Sequence, residues 1–94
     1  MAVLTLLSRA YCHLCDEMLA AVRPIAAAYA VPIDVVDIDA DPALEALYGE
    51  LVPVLFAGSA ATGAELCRFR IDRGRVVAAL AELRAPADRG RAAG

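Results

Sequence analysis

The sequence contains no lysine and no tryptophan, and all nine of its basic side chains are arginines. Its net charge at pH 7 is −3, so it lacks the basic surface with which a general nucleic-acid-binding protein holds phosphates. It also lacks an apolar run long enough to span a membrane, and we expect no membrane partner. The start of the chain, MAVLTLLSR, has neither the basic region nor the long apolar segment of a signal peptide, which predicts a cytoplasmic protein.

Cysteine is scarce and odd in number, at three residues, which does not suit a secreted framework of disulfides. In a reducing compartment, a close pair of cysteines is more often catalytic or metal-binding than structural. The 94 residues suffice for one small domain with one core. We assign residues 1–84 to that domain and residues 85–94, which have no apolar periodicity, to a flexible C-terminal tail.

The apolar pattern predicts the element order β-α-β-α-β-β-α. Short apolar or alternating runs predict strands at residues 3–7, 33–39, 52–56 and 64–71. The order predicts an α/β fold in which two parallel strands and a hairpin form a single mixed sheet, with helices on both faces.

The helices are predicted from spacing and from their caps. Residues at spacings of three and four mark the apolar face of the first helix: Leu14, Met18, Val22, Ile25 and Tyr29. Asp41 and Asp72 predict the N-caps of the second and third helices. The predicted apolar face of the third helix consists of Val76, Val77, Leu80 and Leu83.

Cys12 and Cys15 lie in the segment SRAYCHLC, between the first predicted strand and the first helix. The unpaired amides at a helix start carry partial positive charge, which favours a thiolate on Cys12. A three-residue spacing in a first helical turn brings two cysteines to disulfide distance, a Cα separation of about 5.5 Å. Cys12 can therefore attack a substrate disulfide, and Cys15 can then attack the mixed disulfide and release the product.

The segments SRAYCHLC, VVDID and VPVLF, followed by a strand and a capped helix, resemble glutaredoxins over about residues 3–83. The similarity is greatest to a bacterial glutaredoxin-like branch of mostly unassigned function. The resemblance implies a thioredoxin-like fold and a thiol–disulfide oxidoreductase, with Cys12 as the nucleophile and Cys15 as the resolving thiol. It also implies a cis-proline that faces the nucleophile. This proline maps to Pro53, where it would expose the backbone of Val52 for strand-like pairing with a substrate.

The sequence departs from glutaredoxins before the last helix. Glutaredoxins carry a Gly-Gly pair there, where the main chain of glutathione docks, and this chain has RFRID. We expect Phe69 and Ile71 to point into the core and Arg70 to stand over the docking surface, with capping donors near Asp72 still available. Glutathione is then a weakly bound co-substrate at most, and we expect no other cofactor and no metal.

Several further residues near the cysteines each allow two interpretations. Tyr11 either flanks the substrate groove or packs as an ordinary aromatic. His13 either stabilises the neighbouring thiolate or is an exposed residue at a helix start. Five arginines either bind anionic groups of a substrate or belong to a solvated polar face: Arg9, Arg68, Arg70, Arg73 and Arg75. Cys67 lies among apolar partners and is expected to be a buried core thiol.

We therefore expect a monomeric dithiol oxidoreductase that acts on a disulfide-containing protein or a low-molecular-weight thiol. Two other classes remain open. One is a metal or iron–sulfur module. A zinc site needs four ligands, and the three cysteines and one histidine of this chain do not readily form one by themselves. Such a module would instead share a cluster across a dimer, as some glutaredoxins do. The other is a thioredoxin-fold interaction module whose thiols are idle.

Overall fold

A computed structural model of the protein describes residues 3–60 and 63–82. The strands are β1 (Leu4–Ser8), β2 (Ile33–Asp37), β3 (Val54–Ala57) and β4 (Ala64–Arg68), and the helices are α1 (His13–Ala28), α2 (Pro42–Tyr48) and α3 (residues 73–82). A short 3₁₀ turn, Ile38–Ala40, joins β2 to α2. This order confirms the predicted fold. The predicted tail, residues 85–94, lies outside the described residues, and no helix within them is long and apolar enough to cross a membrane.

The strands form a mixed sheet in the order β2-β1-β3-β4. β1 pairs in parallel with β2 and antiparallel with β3, and β3 pairs antiparallel with β4. Leu7, near the end of β1, lies opposite Val54 at the start of β3, and Val54 lies opposite Arg68 at the end of β4. The segments that follow β1, precede β3 and follow β4 therefore meet at one end of the sheet.

Both faces of the sheet are buried, because apolar side chains occupy successive positions of the central strands. One cluster contains Leu4, Leu6 and Leu55 together with residues of α1 and α3. A second cluster contains Leu7, Val54 and Phe56, with residues of α2 packed against it. The layers are therefore α1 and α3 on one face and α2 on the other.

The second helix starts and docks as the sequence predicts. The Asp41 side chain accepts hydrogen bonds from the amides of Ala43 and Leu44, and Pro42 occupies the first turn. Tyr48 packs edge to face against Phe56, with the ring centroids 6.0 Å apart. This contact holds the end of α2 over β3.

The buried faces of α1 and α3 differ from the predicted faces. In α1 the buried residues are Cys15, Met18, Val22 and Ala26, whereas Leu14 is exposed. In α3, Val76 and Leu80 are fully buried and Val77 is exposed, because a one-residue step turns a side chain about 100° around the helix axis. Leu83 lies outside the described residues.

The strands β2, β3 and β4 are also shorter than predicted, each for a local reason. β2 ends at Asp37, whose carboxylate accepts the amide of Asp39 and closes the 3₁₀ turn. β3 starts after Pro53, which has no N–H to donate to a ladder. β4 ends at Arg68 because Phe69 adopts a φ of 68°, which leaves the extended region.

Replacing Val76 by alanine should lower the free energy of unfolding by about 2 kcal/mol, because two buried methyl groups are lost and a cavity remains. The matched change Val77→Ala should alter it by less than about 0.5 kcal/mol, since that side chain is exposed. Urea denaturation of both variants measures the difference. Equal losses in the two variants would contradict the observed orientation of α3.

Candidate active site

Cys12 is the N-cap residue of α1, and its sulfur occupies the place usually taken by a serine or aspartate oxygen. Its backbone is extended, with φ −99° and ψ 104°. The amide of Cys15 donates a hydrogen bond to Cys12 Sγ over 3.2 Å, and the amide of Asp16 donates to the Cys12 carbonyl. A negative charge on the Cys12 sulfur is therefore stabilised by a backbone donor at the positive end of the helix.

Cys12 and Cys15 form a disulfide, and their Cα atoms are 5.2 Å apart, which is within the ordinary range. Cys15 is buried in the cluster that also contains Leu7 and Val52. Cys12 is partly exposed and packs against the same cluster. Cys12 is thus the sulfur that a partner can reach, as its position at the helix start predicted.

Tyr11 precedes Cys12 and stands fully exposed, with a φ of 61° that is uncommon for a residue other than glycine. The reading of Tyr11 as a packed aromatic is therefore wrong. The left-handed conformation turns the chain out of β1 and toward the start of α1.

The peptide bond between Val52 and Pro53 is cis, as the resemblance implies. It lies at the same end of the sheet as Cys12. The Pro53 carbonyl accepts a hydrogen bond from the Phe69 amide over 2.9 Å, which fixes the start of β3 to the segment after β4. Among the described residues, the Val52 main chain makes no backbone hydrogen bond. Its donor and acceptor are therefore not engaged by another backbone group in the described residues.

Arg9 is engaged within the protein. Its guanidinium forms an ion pair with Asp39 at 2.6 Å and donates to the carbonyl of Gly49, and it lies 4.0 Å from Glu45. These contacts connect the segment before Cys12 to the 3₁₀ turn and to the end of α2. They indicate that Arg9 positions this segment, and they replace the predicted role in binding a substrate anion.

The four arginines at the end of β4 and after it divide into two pairs by their contacts. Arg68 makes a two-point ion pair with Glu65, at 2.6 and 2.7 Å, and this hydrogen bonding holds the pKa of Glu65 below its usual range. Arg75 donates to the Glu65 carbonyl. Arg70 and Arg73 instead line a groove beside α1, with a volume of about 480 Å³.

Phe69 differs from its prediction, whereas Asp72 has the helix-capping role predicted for it. Phe69 is 41% exposed, so its assignment to the core is wrong; the turn at its left-handed backbone reverses the alternation expected of a strand. Asp72 caps α3, since its carboxylate accepts the amide of Arg75 over 3.1 Å. Ile71 is half-buried and packs against the core, as expected.

His13 is almost fully exposed, and its Nε2 atom lies 2.7 Å from a carboxylate oxygen of Glu17. The ring is thus directed along the exposed side of the helix, in agreement with the reading of an exposed residue at a helix start.

Cys67 packs against the core cluster of α1 and α3, but it is half-buried and not the fully buried thiol that was expected, because it lies near the end of the edge strand β4. Burial raises the pKa of the Cys67 thiol, and this effect is larger than the opposing effect of the Asp72 backbone N–H. Burial therefore disfavours the thiolate form of Cys67. Within residues 3–60 and 63–82, no group of three cysteine, histidine or acidic side chains is close enough to hold a metal ion.

The topology and the disulfide-forming Cys-x-x-Cys pair at the start of α1 place the protein in the thioredoxin-fold class. The family model of the Glutaredoxin-like domain (DUF836) matches residues 3–81, and the chain belongs to this family. No curated protein sequence matches it.

Solved structures agree with this assignment. Protein Ne2328 from Nitrosomonas europaea is 35% identical, with 82% of this chain and 88% of that chain covered and a TM-score of 0.69. Protein XcR50 from X. campestris is 40% identical, with 85% and 97% covered and a TM-score of 0.64. Thioredoxin 1 from Thermosipho africanus is 19% identical, with 90% and 97% covered and a TM-score of 0.62, which shows the fold alone.

Two exposed apolar side chains near the cysteines, Leu14 and Phe69, were missed as site residues by the sequence reasoning. Each fits an apolar repeat, of helical spacing for Leu14 and of strand alternation for Phe69. The ion pair between Arg9 and Asp39 was also missed, since 30 residues separate the partners and no local pattern relates them.

In the oxidised protein iodoacetamide can label only Cys67, because the other two cysteines form the disulfide. The raised pKa leaves less thiolate at about pH 8, so labelling should be slower than in the oxidised protein unfolded by urea. The native rate should keep rising at pH values where an ordinary thiol is fully ionised. Cys67→Ala should take up no label, and equal native and unfolded rates would refute the assignment of a buried thiol.

Proposed function

We propose that this protein is a dithiol thiol–disulfide oxidoreductase of the cytoplasm, which acts as a monomer on a disulfide-containing protein or low-molecular-weight thiol. The observation that carries the proposal is the pairing of a partly exposed sulfur, capped by a helix amide, with a buried sulfur at bonding distance. The first sulfur has the access and the stabilisation that a nucleophile needs. The second has no access to solvent and lies at bonding distance from the first.

The reaction would proceed in two exchanges. The Cys12 thiolate attacks one sulfur of the substrate disulfide, so that a Cys12–substrate bond forms and the other substrate sulfur leaves as a thiolate. Cys15 then attacks the Cys12 sulfur, which releases the second substrate thiol and forms the Cys12–Cys15 disulfide. Two electrons pass from the dithiol to the substrate. The Cα separation of 5.2 Å allows the second exchange to occur within the first helical turn.

The Val52 main chain supports a binding mode for the substrate. Its unpaired amide and carbonyl lie at the sheet end that carries Cys12, where an extended segment could add as a short strand. Main-chain pairing of this kind is largely independent of substrate sequence. Any selectivity must therefore come from side chains around it.

Glutathione is expected to be a poor partner for this site. Phe69 stands with a φ of 68° in the region where glutaredoxins have glycine, and Arg70 follows it on the surface. Side chains at these positions obstruct the close approach of a ligand backbone that glycine permits. The charge of Arg70 attracts carboxylates, but an exposed ion pair contributes only about 0–1 kcal/mol. Weakened binding is the expected sum of the two effects.

The variant Cys15→Ser should accumulate a mixed disulfide on Cys12 when it is mixed with an oxidised substrate, because the resolving thiol is absent. Mass spectrometry of the trapped adduct identifies both the attacking cysteine and the substrate. Cys12→Ser is the matched control and should trap nothing, and Cys67→Ala should turn over a model disulfide nearly as fast as the natural sequence. Adducts on Cys67 would contradict the proposed roles, as would a visible iron–sulfur absorption band in protein prepared without oxygen.

Turnover of a glutathionylated peptide should be slower with glutathione as the reductant than with a thioredoxin-type reductase system. The reason is the steric effect of Phe69 and Arg70 on the glutathione main chain. The double variant Phe69→Gly, Arg70→Gly should recover part of the glutathione rate. A glutathione rate equal to or above the other rate in the natural sequence would exclude the proposed obstruction.

A further inference from the structure

The groove beside α1 has no part in the exchange chemistry and is connected to the site that performs it. Its walls are Leu14, Met18 and Ala21 of α1 on one side and Phe69 and Arg70 on the other. Leu14 lies between the two cysteines in the sequence. Phe69 is hydrogen-bonded to Pro53 at the same end of the sheet. The groove therefore starts at Leu14, next to Cys15 in the chain, and follows α1 for about 10 Å, at 1.5 Å per residue.

The lining of the groove is apolar at the end formed by Leu14 and Phe69. Leu14 and Phe69 are each 41% exposed, although both are large side chains that a small domain would ordinarily bury. Met18 and the half-buried Ile71 continue the apolar surface inward. A surface of this size and depth can accept the apolar side chain of a polypeptide.

The charges at the groove have a definite sign. Arg70 and Arg73 line it, and in the part of the chain that the structure describes neither guanidinium has a hydrogen-bond or ion-pair partner. Glu17 is the acidic residue among the lining side chains, and it lies against His13. The groove is thus cationic on a protein whose net charge is −3, and its two arginines stand in reach of a bound chain.

We propose that this groove is the substrate-recognition site of the proposed oxidoreductase, and that it binds a segment of an acidic polypeptide carrying an apolar side chain beside the reacting cysteine. The apolar residue would lie between Leu14 and Phe69, and acidic residues further along would face Arg70 and Arg73. The inference rests on the proposed function. It adds to it the chemical class of the substrate.

Two other occupants fit the groove less well. Glutathione has carboxylates for the arginines but no side chain for the apolar wall, since its only large group is the reacting thiol. Residues 83–94 of this chain contain three arginines and one aspartate, so their charge has the same sign as that of the groove. An acidic and apolar segment of another protein complements both features.

The test uses the first exchange alone, with protein that has been reduced and freed of reductant. Peptides carry one cysteine as a mixed disulfide with thionitrobenzoate. Attack of the Cys12 thiolate on the peptide sulfur forms the Cys12–peptide disulfide and releases coloured thionitrobenzoate, which gives the rate. One peptide has leucine beside the cysteine followed by two glutamates. In a second, lysines replace the glutamates, and in a third, serine replaces the leucine.

The peptide with leucine and glutamates should react about five- to tenfold faster than each of the others, a size set by two weak exposed ion pairs and one partly buried side chain. At an ionic strength of about 1 M, where the Debye length is about 3 Å, the glutamate preference should vanish and the leucine preference should remain. The double variant Arg70→Gln, Arg73→Gln should lose the glutamate preference. The matched variant Arg23→Gln removes a charge from α1 outside the groove lining and should keep it.

Reaction with a small symmetrical disulfide distinguishes a failure of the recognition site from a failure of the proposed function. If the reduced protein reacts with it but does not distinguish the peptides, the recognition site is refuted and the oxidoreductase stands. If it reacts with no disulfide, the proposed function itself fails. Amide chemical shifts of residues 69–73 on addition of the glutamate peptide, with serine in place of its cysteine, give a reading independent of thiol chemistry. Larger shifts with glutathione than with this peptide would assign the groove to glutathione and overturn the proposal.

Discussion

The hydrogen bond from the Cys15 amide to the Cys12 sulfur determines the arrangement of the whole site. It makes a sulfur the cap of α1, and a cap must sit in extended backbone before the first helical turn. The chain therefore has to leave β1, turn, and present Cys12 at one defined point. The left-handed residue Tyr11 makes that turn, and the second cysteine then falls at disulfide distance without further adjustment.

The same junction joins the two buried clusters of the protein. Cys15 packs with Leu7 in the cluster of α2, whereas Met18, one turn later, packs in the cluster of α1 and α3. The first turn of α1 thus lies across the end of the sheet and contacts the cores of both faces. Arg9 adds a polar connection from the preceding segment to Asp39 and Gly49 on the α2 side. The segment that carries Cys12 is held from both faces of the sheet.

The element order, the mixed sheet and the cysteine pair could be predicted because each has a local cause. Buried strands give apolar runs, and Asp41 and Asp72 cap helices through their own neighbouring amides. The cis peptide at Pro53 followed from the resemblance to a family and not from the residues around it. The exposure of Leu14, Phe69 and Val77 could not be predicted. Each residue fits an apolar repeat, and the repeat alone does not show which of its members tertiary packing buries.

The contrast between the two sulfurs has a consequence for the coupling of electrons to protons. In the reduced protein, the amide at the helix start favours an anion on Cys12, while Cys15 lies among apolar side chains that cannot solvate one. A reduced pair in which Cys12 is an anion and Cys15 a thiol has taken up two electrons and one proton. A two-electron couple that binds one proton changes its potential by about 30 mV per pH unit, half the change of a couple that binds two. The burial of one side chain thus sets how strongly the potential of such a pair responds to acidity.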